Sequence, residues 1–149
     1  MPKAETARDL LILDTHVWIW VLEGTKGELS AATIRRIENA AADSALAVSA
    51  LSVWEVAMLE KRGRITLSRS IDEWIRAALT APGIRLVDLT PEIALESTRL
   101  PGDPHGDPAD RIIMATARVL GGTLVTRDKQ ILEYAKTGHI RARDARKRT

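Results

Sequence analysis

Short unbroken apolar runs alternate along the chain with segments of helical spacing. Residues 10–13 (Leu-Leu-Ile-Leu) stop at Asp14, the mark of a strand buried on both faces, and a helix is predicted from there to about Leu22. Residues 30–41 read as a helix with one polar face. Residues 45–49 form a second candidate buried strand, and a helix from Ser52 to about Arg62 follows, which Gly63 can end. Another helix is predicted over 71–80. Pro82 and Gly83 then break the chain before a third strand at 84–89, and Pro91 opens a helix to about Leu100. Residues 101–108 are a loop by composition, with Pro108 at a helix-opening position. That helix runs to Leu120 and stops at Gly121 and Gly122. Residues 123–126 give a fourth strand, with a short helix after Asp128 and a weak edge strand near His139.

Strands separated by helices imply right-handed crossovers and a parallel sheet covered on both faces. The expected architecture is therefore α/β, a three-layer α/β/α sandwich around a parallel sheet of four to five strands. With no repeat and no low-complexity linker, one domain is expected over residues 1–149, with its core at about 10–135.

Composition narrows the chemistry. The chain is 45% apolar and 28% charged, as in ordinary globular proteins. Its longest apolar run spans residues 17–22, far short of the roughly 20 residues that cross a bilayer, and residues 10–13 are too short for a signal-peptide core. A cytoplasmic protein with no membrane partner is expected. Cysteine is absent, which removes thiolate metal sites and cysteine nucleophiles and leaves oxygen and nitrogen ligands. Residues 136–149 carry Lys136, Arg141, Arg143, Arg146, Lys147 and Arg148 against Asp144 alone, so a basic tail follows a slightly acidic body. Such a tail is either a solvated terminus or an arm that attracts phosphate.

Four acids stand at or just past the carboxyl end of a predicted strand, or in the first turn of a helix facing that edge: Asp14, Glu55, Asp110 and Asp128. In open parallel sheets this is the edge where ligands bind. Each acid also has a structural explanation. Asp14 and Asp128 can be helix N-caps, residues 52–55 (Ser-Val-Trp-Glu) fit a capping box, and Asp107 can cap the helix that carries Asp110. Asp14 and Glu55 are nevertheless the lone charges in long apolar stretches, where an ionised carboxylate needs a cation or strong donors. Arg111 or Arg127 could supply that charge. A divalent ion answers four clustered carboxylates better, and all-oxygen ligation favours Mg²⁺ or Mn²⁺ over zinc.

Other motifs are thin. His16 and His105 lie near Asp14 and Asp107, but no HExxH spacing accompanies them. No GxGxxG or GxxxxGK[ST] phosphate loop is present. Trp18, Trp20, Trp54 and Trp74 could stack on bases, yet in a chain without Phe they are read as core volume.

With these residues located, the chain resembles a PIN-domain ribonuclease of the VapC toxin type. Leu13-Asp14-Thr15-His16 with Trp20 is similar to that family's first motif. Ser49 with residues 52–57 (Ser-Val-Trp-Glu-Val-Ala) is similar to the second, and Lys61, Gly63, Arg64 and Ile65 continue it. Residues 105–117 around Asp110 resemble the third, and residues 124–128 (Leu-Val-Thr-Arg-Asp) the fourth.

The resemblance implies a Mg²⁺- or Mn²⁺-dependent endoribonuclease whose pocket is Asp14, Glu55, Asp110 and Asp128. In that reading Asp14, Asp110 and Asp128 hold the metal, Glu55 positions or deprotonates the attacking water, and Thr126 lies near that water. It also implies an RNA substrate, a homodimer and a VapB-type antitoxin. Three alternatives remain: a nuclease-dead RNA-binding module, a DNA-directed nuclease of the same fold, and a receiver-like domain that would phosphorylate Asp88.

Overall fold

The computed structural model describes residues 9–104 and 106–149. Its strands are β1 (Leu11–Leu13), β2 (Leu46–Ser49), β3 (Ile84–Val87), β4 (Thr123–Thr126) and β5 (Arg141–Asp144). Its helices are α1 (Thr15–Glu23), α2 (Ala31–Ala42), α3 (Ala50–Lys61), α4 (Ile71–Thr80), α5 (Pro91–Ser97), α6 (Pro108–Leu120) and α7 (Lys129–Ala135). All strand pairs are parallel, in the order β3-β2-β1-β4-β5.

Side-chain alternation divides the sheet between two cores. Leu11, Leu13, Leu46, Val48 and Val125 face one layer, where Val17, Trp18, Ile37, Val56 and Trp74 of α1 to α4 pack on them. Ile12, Ala47 and Leu124 face the other, against Ile93, Ile113, Met114 and Ile131 of α5 to α7. This is the expected three-layer sandwich. Among the described residues no helix is long and apolar enough to cross a membrane.

Four local expectations need correction. α3 begins at Ala50, with the Ser49 hydroxyl accepting from Leu51 N at 3.1 Å. Ser52 therefore lies inside the first turn, and the capping box at 52–55 does not form. The edge strand near His139 is a full parallel strand, β5, in register with β4 from Thr123–Arg141 to Thr126–Asp144. The basic tail is consequently not one solvated arm: Arg143 is 7% exposed, and its Nε donates to Thr33 Oγ1 at 3.0 Å. Nor are all four tryptophans core residues. Trp18 and Trp74 are buried and meet edge to face at 5.0 Å, whereas Trp54 is 53% exposed.

The candidate active site

The parallel sheet brings the carboxyl ends of β1 and β4 side by side, and the chain leaves each through an aspartate. Asp14 caps α1, with Oδ1 accepting from Thr15 N at 2.8 Å. Its Oδ2 accepts from the Thr126 hydroxyl, at the end of β4, at 2.6 Å. Thr126 is fully buried, and the same Oγ1 accepts from Asp128 N at 3.0 Å. One hydroxyl therefore ties Asp14 to the turn that presents Asp128. With its hydrogen donated to Asp14, Thr126 acts on that carboxylate.

Asp128 caps α7 through Oδ1, which accepts from Gln130 N at 2.8 Å and Ile131 N at 3.2 Å. Asp107 caps α6 by accepting from Asp110 N at 2.8 Å. The cap readings thus hold for Asp14, Asp107 and Asp128. Capping and site chemistry are compatible here, because a cap occupies only one of the carboxylate's several lone-pair positions.

Glu55 enters from α3. Its Oε1 accepts from Thr15 Oγ1 at 2.5 Å, and Thr15 Oγ1 lies 2.8 Å from Ser52 Oγ. Thr15 has one hydroxyl hydrogen, so donating it to Glu55 makes Ser52 the donor to Thr15. Both hydroxyls are buried, at 2% and 0% exposure. The sequence places Thr15 and Ser52 inside the first and second motifs but assigns neither a role in the pocket. The available signal was a hydroxyl directly after Asp14 and another three residues before Glu55.

Three carboxyls of the cluster, Asp14, Glu55 and Asp110, are pushed towards neutrality. Burial raises the Asp14 carboxyl above its ordinary value, and Asp128 adds to this, while hydrogen bonds from Thr126 and Thr15 and the His16 charge pull it back. Burial likewise raises Glu55, opposed by the Thr15 bond and His16 and reinforced by Asp14 and Asp107. Asp110 is pushed up to about 7, by burial first and then by Asp107, Asp14, Asp128 and Glu55. Five acids thus sense one another across one edge.

The two arginines that could have balanced them are engaged elsewhere. Arg111 donates to Ser97 O at 2.9 Å and Pro104 O at 2.6 Å, and pairs with Asp103 at 3.2 Å. Arg127 pairs with Glu28 and stacks over Trp20, 5.5 Å from the ring centroid. Among the described residues no lysine or arginine forms an ion pair with Asp14, Glu55, Asp110 or Asp128.

This donor set fits a hard divalent cation: hydroxyl-braced carboxylates, a surplus of negative charge, and no balancing side chain among the described residues. No three of the described acids or histidines already stand close enough to cage an ion unaided. His105, quoted in the third motif, lies outside the described residues.

Comparison with known proteins identifies the family and the fold. The PIN domain model matches residues 11–137, and the chain belongs to the PIN-domain family. Ribonuclease VapC22 of Mycobacterium tuberculosis (strain ATCC 25618 / H37Rv) is 38% identical over 124 residues, 83% of this chain and 91% of that protein. The fold is shared with the VapBC2 complex of Rickettsia felis bound to a promoter DNA fragment, at 14% identity and a TM-score of 0.64, covering 89% of this chain and 96% of that one. It is also shared with DNA-bound VapBC of Salmonella typhimurium, at 21% identity and a TM-score of 0.62, covering 91% and 98%. VapC nucleases of this family generally depend on a divalent metal.

Proposed function

We propose that this chain is a VapC-type toxin, a Mg²⁺- or Mn²⁺-dependent endoribonuclease controlled by a VapB-type antitoxin and acting as a homodimer. The observation that carries the reading is the braced acidic edge, with Asp14 held by Thr126, Glu55 held by Thr15, and neither arginine neighbour turned towards them. Identity to Ribonuclease VapC22 supports RNA as the substrate, and the VapBC complexes of like fold support the antitoxin.

Asp14, Asp110 and Asp128 are the residues that would hold the cation. When bound, it offsets the clustered charge and stabilises negative charge building on the phosphate oxygens. Glu55 takes a proton from the attacking water, and the Thr15 bond to Oε1 fixes how its carboxylate is presented. In-line attack on phosphorus breaks the bond to the 3′ oxygen, which takes up a proton from solvent, and leaves a 3′-hydroxyl and a 5′-phosphate. Thr126 keeps Asp14 oriented throughout. No 2′-hydroxyl takes part, so preference for RNA must come from how the groove fits the strand.

End-labelled RNA and DNA oligonucleotides of one sequence, incubated with the full chain and Mg²⁺ or Mn²⁺, test this directly. Cleavage of the RNA, abolished by chelator and in Asp14→Asn and Asp110→Asn, is expected. Intact RNA with free metal present overturns the reading. Cutting of DNA alone replaces it with a DNA-directed nuclease.

A further inference from the structure

The positive charge that the sequence gathers in residues 136–149 is divided by β5. Arg141, where the strand begins, turns to Gly121 O and to Asp9 at 3.6 Å, at the amino edge of the sheet. Arg143 is consumed as a buried clamp. Past Asp144 the chain emerges at the carboxyl edge, because Asp144 is in register with Thr126 and Ala145 N donates to Thr126 O at 2.9 Å. Arg146 is thereby delivered beside Arg127, the residue between Thr126 and Asp128.

The two arginines share one anion. Glu28 pairs with Arg127 and also with Arg146 Nη2 at 3.5 Å, so the trio keeps one net positive charge. The Arg146 side chain is 54% exposed. Each guanidinium has five N–H donors, and one carboxylate cannot use them all. Arg127 lies against the Trp20 ring, an arrangement that fixes the guanidinium plane.

The segment bearing Arg146 is held rather than loose. Ser30 N donates to Ala145 O at 3.0 Å, and Ser30 Oγ donates to Lys147 O at 2.5 Å. Arg143 Nη2 donates to the same Lys147 carbonyl at 3.0 Å, while Arg146 N donates to Asp144 Oδ1 at 2.9 Å. A buried arginine and the α2 cap thus fix the backbone on both sides of Arg146.

We propose that Arg127 and Arg146, presented next to Asp128 and restrained by Glu28, form a phosphate-binding subsite for the RNA backbone flanking the cleaved bond. This rests on the endoribonuclease reading above. The acidic pocket repels the strand it must cut, and a cationic pair on the same edge draws the neighbouring phosphates in and sets the strand's direction across the site. Arg143 is a positioning residue for this subsite. Glu28 sets its strength, because an incoming phosphate competes with that carboxylate for the same donors.

The test is binding of a fluorescent single-stranded RNA to the full chain in an Asp14→Asn background, over a salt series. One lost phosphate contact lowers the slope of log K against log salt by about 0.7, so raising salt fourfold should cost Arg146→Ala roughly threefold less affinity than its parent. Arg127→Gln should behave alike, and both should raise KM for cleavage in the otherwise wild-type chain. Glu28→Gln should tighten binding and steepen the slope, a sign opposite to that of a trio serving stability alone. An unchanged slope in Arg146→Ala, or weaker binding in a folded Glu28→Gln, overturns the subsite. If the wild-type chain cuts no RNA, the functional reading has failed instead, which the same preparations reveal.

Discussion

The Thr15 hydroxyl donates to the Glu55 carboxylate across forty residues of sequence, joining the first turn of α1 to the middle of α3. Burial raises the Glu55 carboxyl, and this bond is the largest influence lowering it. Removing the donor leaves His16 as the one remaining influence that opposes burial. Thr15→Val is therefore expected to move the acid limb of the cleavage pH profile to higher pH, because Glu55 ionises later. Leaving the buried Ser52 hydroxyl without its acceptor should also cost about 1–3 kcal/mol of stability. Thr15→Ser, which restores the hydroxyl, should recover both; a pH profile identical in the Val variant would show that Glu55 does not act in its ionised form.

Asp110 carries a distinct signature in stability. Its carboxyl is raised from 3.8 to about 7, so between those values the folded chain holds a proton that the unfolded chain has released. Unfolding free energy should then fall as pH climbs through that window and level off above it. Asp110→Asn removes the penalty, so its Tm should exceed wild type at pH 8 and approach it near pH 4. Added Mn²⁺ should raise the wild-type Tm at pH 8 and do so less in the Asn variant. Parallel Tm curves for the two proteins across pH would contradict the cause given for the shift.

Thr126 offers a separable defect. Thr126→Val keeps the shape but removes the donor to Asp14 Oδ2 and the acceptor for Asp128 N. A loss of about 1–3 kcal/mol in denaturant unfolding is expected, together with a higher Mn²⁺ concentration for half-maximal cleavage. Thr126→Ser should restore the metal response, and a Val variant with unaltered Mn²⁺ dependence would remove Thr126 from the bracing of Asp14.

Gly83 is required by the backbone before β3. Its φ is +82°, and a Cβ there would stand 1.8 Å from Ala41 O at the end of α2. Gly83→Ala should cost about 2–4 kcal/mol, roughly 4–16 °C in Tm for a chain of this size. A Tm within a degree of wild type would mean that the α2 terminus yields freely.

What was legible in the sequence follows how local the determinants are. α6 was readable to the residue because Asp107 and Pro108 open it and Gly121, at φ +66°, closes it. The strands β1, β2 and β4 were readable because burial on both faces demands unbroken apolar runs. β5 was only glimpsed: Arg-Ala-Arg-Asp has no strand pattern, and Arg143 is tolerated in the interior because Thr33, 110 residues earlier, and the Lys147 carbonyl accept from it. The acids were legible from their places at strand ends. The hydroxyls that orient them were not, since Thr15 meets Ser52 and Glu55, and Thr126 meets Asp14, only after the sheet has assembled. Asp88 follows β3 on the outer edge of that sheet, with β2 between it and the strand leading to Asp14, which gives the receiver-like reading no acid pair to build on.

The placement of β1 between β2 and β4 also governs when chemistry can begin during synthesis. Asp14 leaves the ribosome early, but its partner hydroxyl and the acid beyond it arrive more than a hundred residues later. Any shortened product ending before Thr126 lacks both that hydroxyl and Asp128. A pocket assembled in this order stays incomplete until β4 and the turn after it have emerged and docked beside β1.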